Sequence, residues 1–263
     1  MSNFGPFDLP DSLCTKQDGE ILHVYLARPA KRNALNDETL LGLEQIFTNI
    51  PDGVRVAILS GQGDHFCAGL DLSELEDHDA VEGIYHSRTW HRVFERIQFG
   101  PAPVVALLRG AAIGGGLELA CAAHVRVAEP SAFYALPESQ HGIFPGGGAS
   151  VQVPKLIGLS RTMEMMLTGR MVSAAEGAAW GFSHYLVEDG AGPDKALERA
   201  RKIAGNTPLT NYAILQVLPR IVEASQESGL LLESMIASIT QSTPEAKARV
   251  QNFLQKKSKR ASE

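Results

Sequence analysis

Nine consecutive residues, Gly110-Ala111-Ala112-Ile113-Gly114-Gly115-Gly116-Leu117-Glu118, constrain this chain more than any other stretch. An apolar run, Val104 to Leu108, precedes them and reads as a strand; a small-residue stretch, Leu117 to Ala123, follows and reads as a helix. Three consecutive glycines at a strand-to-helix junction allow unusual dihedrals and close backbone approach, and the first-turn amides of the helix lack an intrahelical acceptor. Such a junction suits an anion or a developing oxyanion. Glu118 stands in its first turn, and a second acidic segment, Pro137-Glu138, answers it twenty residues later.

The chain has 263 residues, 44% of them hydrophobic, enough for one domain with a buried core. A net charge of -6 argues against a nucleic-acid surface, although a local basic patch could still hold a phosphorylated group. Only Lys256-Lys257-Ser258-Lys259-Arg260 is strongly basic and reads as a frayed, solubilising end, with phosphate contact or a subunit rim as the alternative. Cys14, Cys67 and Cys121 have no paired spacing, so neither a disulfide framework nor a metal site is expected, and a reducing cytoplasm fits best. Met1 to Glu20 lacks the apolar core of a signal peptide, and no run approaches the roughly 18 apolar residues of a membrane span. A soluble protein is expected.

In chain order, Ile21–Leu26 reads as the first strand and Ala30–Asn36 as a loop. A helix capped by Asn36 or Asp37 then runs to about Asn49, with Leu40, Leu43 and Ile46 as its buried stripe. Val54–Leu59 is a second strand, Phe66–Leu72 a small-residue loop, and Asp77 to Ala80 a polar connection to a helix ending near Gln98. Short strands are expected at Val125–Ala128 and Ala132–Ala135, helices at Arg161–Thr168 and from a capping box at Ser173. Alternating strands and helices imply a parallel layered core. From Asp194, a reasonable N-cap, helices dominate: to Ala204, then about Thr210–Leu218, Arg220–Ile239 and Pro244–Lys256.

Five motifs occur in order: Arg28 through Leu35; Phe66 through Leu72; Gly110 through Glu118; Pro137-Glu138 with Gly142 through Gly148; and Leu167 through Arg170 with Ser173 through Gly181. On these residues the sequence resembles, over nearly its whole length, the crotonase family, the enoyl-CoA hydratase/isomerase superfamily. The resemblance implies an α/β fold: a spiral of four ββα turns with two roughly perpendicular sheets, followed by helices that build a trimer or a dimer of trimers. On that basis residues 1–190 form the spiral core and 191–263 a helical region that completes the pocket and the oligomer interface. The implied partner is an acyl-CoA thioester that carries its own coenzyme A, so no separate cofactor is expected.

The same resemblance implies that the Leu70 and Gly115 amides form an oxyanion hole for the thioester carbonyl and that Glu118 and Glu138 are the catalytic pair. Arg28, Lys31, Arg32 and Ala68 are implied to bind coenzyme A, joined by Phe253 and Lys256 from the last helix. Asp71 reads as a cap for the turn that follows it. His141 is placed to tune Glu138 or line the pocket, while His86 and His91 lie on the expected lid helix with Trp90 and Phe94. Two carboxylates suit hydration of a 2-enoyl-CoA to a 3-hydroxyacyl-CoA, because burial and like charge hold a proton on one while the other remains basic. The alternative is a hydratase-lyase or isomerase acting on an aromatic or branched acyl-CoA, for which Leu70, Trp90, Phe94 and Ser139–His141 leave room. Glu118, Glu138 and Gly115, with no basic surface, argue against a scaffold or RNA-binding relative.

Overall fold

A computed structural model describes residues 7–74 and 79–261, with the side chains of Glu74 and of 256–261 outside the described set. Its first hairpin contains a strand that the sequence pattern does not announce. Strand β1 (Leu13–Asp18) pairs antiparallel with β2 (Ile21–Leu26), Leu13 opposite Leu26 and Asp18 opposite Ile21. Only the first half of β1 is buried, as befits an edge strand, so its hydrophobic signal is short.

Strands β3 (Val56–Gly61), β4 (Val104–Leu108), β6 (Val125–Ala128) and β9 (Tyr185–Leu186) extend the sheet in parallel, in the order β1-β2-β3-β4-β6-β9. The first crossover is α1 (Asp37–Thr48), whose cap Asn36 accepts the Thr39 amide at 3.1 Å. The second is α2 (Ala80–Gln98), begun by a complete capping box between Asp79 and Glu82. Strand β3 is buried on both faces, as a central parallel strand should be. Ala57 and Leu59 join the core that holds Leu40, Leu43 and Ile46 of α1, while Val56 and Ile58 face the other layer. There Ala196, Ala200 and Ala204 of α7 (Gly192–Ala204), spaced one helical turn apart, let the helix approach the sheet closely. Each fully buried leucine or isoleucine contributes about 1.5–3 kcal/mol.

A second, three-stranded sheet is built from β5 (Ala111–Ile113), β7 (Phe133–Ala135) and β8 (Val172–Ser173). Strand β5 lies inside the glycine-rich run, which therefore does not remain loop throughout: it pairs with β7 and then turns into α3 (Gly115–Ala122). Helices α4 (Ala149–Ile157), α5 (Leu159–Thr168) and α6 (Ala174–Trp180) complete this part. Alternation alone pointed to one layered sheet; the second sheet matches the ββα spiral that the family resemblance implied.

The chain divides into two compact units after Ala204. Helix α7 belongs with the first unit, where its alanine stripe covers β3 and β4. In the second unit α8 (Pro208–Tyr212), a π-helical turn (Ala213–Val217) and α9 (Leu218–Glu223) form one continuous helical run. Ser225 then caps α10 (Gln226–Ser242) by accepting the Ser228 amide, which splits the single helix expected from Arg220 to Ile239. Last comes α11 (Pro244–Ala261). None of the described helices is long and apolar enough to cross a membrane.

Candidate active site

Three loops meet at the ends of β2, β3 and β4. The loop after β2 lies against the one after β3 through main-chain bonds: Leu35 N–H to the Gly69 carbonyl (2.7 Å), Asp71 N–H to the Leu35 carbonyl (2.8 Å) and Ala68 N–H to the Arg32 carbonyl (3.0 Å). On its other side the second loop is tied to β5, Cys67 N–H to the Ala111 carbonyl (2.8 Å) and Ile113 N–H to the Cys67 carbonyl (3.1 Å). This stitching leaves the Leu70 and Gly115 amides side by side. The Leu70 nitrogen is 3.5 Å from the point where a Cβ on Gly115 would stand, and neither amide has an acceptor among the described residues.

Both amides border a cavity of about 580 Å³ that also receives Glu118, Glu138, Trp90 and His141. Glu118 enters from the first turn of α3 and is 5% exposed. Its Oε1 accepts the amides of Gly147 and Ala149, each at 2.9 Å. A Cβ on Gly147 would stand 2.4 Å from Oε2 of Glu118, so the glycine loop can grip this carboxylate only because it lacks side chains there. Burial pushes the Glu118 carboxyl up to about 7 against the opposing pull of the amides, and the charge on Glu138 adds to the rise.

Glu138 follows Pro137 in a short helical turn, Glu138–His141. Burial raises its carboxyl above the usual range, while the nearby His141 acts the other way. Its Oε2 is buried with no hydrogen-bond partner among the described residues. Two carboxyls with elevated proton affinity thus share one cavity with two unpaired amides, an arrangement that can deliver and accept a proton beside a polarised carbonyl.

The basic residues of the first loop behave differently from one another. Arg28 is turned inward, donating to the Ala34 carbonyl at 2.8 Å and to Oδ2 of Asp71 at 2.7 Å. Asp71 is buried and also accepts the Ser73 hydroxyl (2.7 Å) and amide (3.2 Å), capping the next turn as its sequence position suggested. The Ser73 hydroxyl, and after it Arg28, hold the Asp71 carboxyl well below the usual carboxylate range. Lys31 reaches Asp71 only at 3.5 Å and is exposed, as is Arg32. Ala68 lines the cavity. Phe253 lies in the second unit with its ring exposed, and the side chains of Lys256 and of the rest of the basic tail fall outside the described set.

On α2, Trp90 borders the cavity with its ring close enough to Gly115 that a Cβ there would meet it at 2.5 Å. Trp90 Nε1 donates to Nε2 of His86 at 3.3 Å, and His86 lines the cavity while His91 does not. Sequence reasoning did not single out the Gly147 and Ala149 amides or Ser87. The glycine triplet Gly146–Gly148 was the available signal for the amides; a lone serine on a helix gave none.

An enoyl-CoA hydratase/isomerase family model matches residues 16–261. A chain from Rhodopseudomonas palustris with a provisional enoyl-CoA hydratase assignment superposes with a TM-score of 0.92 at 56% identity, covering 95% of this chain and 96% of that one. The short-chain-enoyl-CoA hydratase of Clostridium acetobutylicum is 29% identical over 250 residues, 94% of this chain and 96% of its own. The carnitinyl-CoA dehydratase of Proteus mirabilis is 34% identical over 227 residues, 85% of this chain and 86% of its own. The protein therefore belongs to the enoyl-CoA hydratase/isomerase family, the crotonase superfamily.

Proposed function

We propose that the protein is an enoyl-CoA hydratase, adding water across the 2,3 double bond of a 2-enoyl-CoA to give a 3-hydroxyacyl-CoA. The observation that carries this reading is the convergence of Glu118, Glu138 and the Leu70 and Gly115 amides on one cavity. The thioester oxygen takes the place between the two amides. Water lies between the carboxyls; the ionised one removes its proton as the oxygen bonds to C3, and the protonated one delivers a proton to C2. Charge that moves onto the thioester oxygen meets two preorganised donors, each contributing about 2.7–4 kcal/mol to the barrier reduction in comparable sites. Both carboxyls are in use, each exchanging one proton per turnover, and the reverse reaction is dehydration.

Coenzyme A would leave the cavity past Ala68 toward the exposed Lys31 and Arg32, with Arg28 holding the loop from inside. The apolar side chains exposed on α10 and α11, such as Leu230, Met235, Ile239 and Phe253, fit a homotrimer or a dimer of trimers. A panel of 2-enoyl-, 3-enoyl- and aromatic enoyl-CoAs, with products identified by mass and NMR, tests the reading. Gain of one water on a 2-enoyl-CoA is expected. Double-bond migration without hydration would replace it with an isomerase, and aldehyde plus acetyl-CoA with a hydratase-lyase.

A further inference from the structure

One peptide unit of the glycine loop is held at both ends. Its nitrogen belongs to Gly147 and donates to Oε1 of Glu118 at 2.9 Å; its carbonyl belongs to Gly146 and accepts the hydroxyl of Ser87 at 2.6 Å. In a trans peptide the C=O and N–H point in opposite directions within one plane, so fixing one fixes the other. A peptide flanked by two glycines is free to rotate about its flanking bonds, and no side chain of its own restrains it. Helix α2 packs the same unit from a second point: Phe94 Cε2 is 3.1 Å from where a Cβ on Gly147 would stand.

We propose that Ser87 is a positioning residue for Glu118, acting through the Gly146–Gly147 peptide. The hydroxyl holds the plane of the peptide so that its N–H faces the carboxylate. By bonding to the carbonyl it also polarises the unit, which strengthens the N–H as a donor. Among the described residues Glu138 is the titratable group that bears on Glu118, and Glu118 in turn bears on Cys121. The Cys121 thiol is pushed up to about 12 by burial and stays neutral, and His141 bears on Glu138 alone of the two carboxyls. The amide from Gly147 favours the ionised form of Glu118. When that donor is lost, the carboxyl holds its proton to higher pH.

This inference rests on the reading of Glu118 as a member of the reacting pair, and the test separates the two. The probe is but-2-enoyl-CoA, assayed over a pH range with wild type, Ser87→Ala, Ser87→Thr and Glu118→Gln. Ser87→Ala is expected to lower kcat about tenfold, the effect of one net hydrogen bond, with KM within about twofold. The limb of its kcat profile that reports Glu118 should move to higher pH, and Ser87→Thr, which keeps the hydroxyl, should restore both. Amide hydrogen exchange across residues 146–149 should be faster in Ser87→Ala than in wild type, a readout that needs no turnover. An unshifted profile, a loss that threonine does not rescue, or unchanged exchange overturns the proposal. Full activity in Glu118→Gln would instead overturn the assignment of the catalytic pair.

Discussion

The carboxylate of Glu138 occupies the space that a side chain at position 114 would need: a Cβ on Gly114 would stand 2.7 Å from its Oε1. Gly114 also has φ 51° and ψ -123°, a combination that L-residues avoid. Gly114→Ala should therefore act twice. Backbone strain should lower stability by about 1–3 kcal/mol. The displaced carboxylate, being the mobile end of a side chain, should yield at little further cost to folding but leave its place beside the substrate, lowering kcat by more than tenfold. Denaturant unfolding and steady-state kinetics on the same variant check both parts; normal kcat in a merely less stable protein would detach Glu138 from the chemistry.

Glu118→Gln and Glu138→Gln should each reduce hydration at least about 100-fold, the lower range for a placed acid or base. The pH profile of wild type belongs to the pair and not to one residue. Stability should respond in the opposite sense to activity. Glu118 has a folded-state pKa raised from 4.5 to about 7, so the folded protein holds this proton more tightly than the unfolded chain. Its contribution is fully present below the unfolded value and is lost as pH rises through about 7, a swing on the order of 3 kcal/mol. Glutamine does not ionise. Thermal midpoints should therefore show Glu118→Gln gaining on wild type between about pH 5 and pH 8, and a pH-independent difference would refute the buried-carboxylate account.

The grouping of the candidate site residues was legible in the sequence, and so was the fold class, but several elements were not. Gly115, Glu118 and Glu138 stand in motifs whose composition is unusual for any purely structural purpose, and the structure gathers them with Leu70 around one cavity. Strand β1 was invisible because an edge strand needs only one apolar end, and α4 because Pro154 and the preceding Gly148, at φ 115°, imitate a loop. Periodicity predicts which face of an element is buried, but not that β5 and β6, separated by one short helix, enter different sheets. Arg28 illustrates another limit. The family resemblance implied coenzyme A contact there, whereas its partner Asp71 is 43 residues away and only folding reveals it.

That pair supplies a third prediction. The side chains of Asp71 and Arg28 are 6% and 21% exposed and 2.7 Å apart, and Asp71 directly follows Leu70, the proposed oxyanion donor. Asp71→Asn should cost about 3 kcal/mol, because it leaves a guanidinium without its counter-charge. Here the folded pKa is depressed. The stabilisation is present above the unfolded value near 4 and disappears as pH falls through the folded value, which lies below the usual carboxylate range. The variant's deficit should accordingly be largest near neutral pH and shrink in acid. A deficit that persists unchanged in acid would mean that packing, and not charge, is what Asp71 supplies.

The second unit leaves Leu230, Leu231, Met235 and Ile239 of α10 and Phe253 and Leu254 of α11 exposed in the single chain. Light scattering on the purified protein at micromolar concentration should give a mass three or six times the 28.3 kDa of one chain. Met235→Asp and Phe253→Asp should lower that mass, because a charge buried in an apolar interface is strongly unfavourable. A stable monomer would remove the trimer from the proposal.

The final prediction concerns the carbonyl. Addition of water at C3 requires the thioester oxygen to accept charge, and the amides of Leu70 and Gly115 are the donors available beside the carboxyl pair. Deleting one of them by Gly115→Pro would also distort the loop and crowd Trp90, whose ring already fills the space of a Cβ at 2.5 Å, so loss of activity in that variant has two causes. Infrared spectroscopy of the wild-type protein avoids the ambiguity. With an unreactive enoyl-CoA analogue at saturation, the thioester C=O stretch should move to lower frequency on binding, as hydrogen bonds lengthen the bond they polarise. The shift should persist in Glu138→Gln, where the amides are untouched and only the proton transfer is disabled. An unshifted band in a saturated complex would place the acyl oxygen away from both amides, and the hydration mechanism built on them would have to be abandoned.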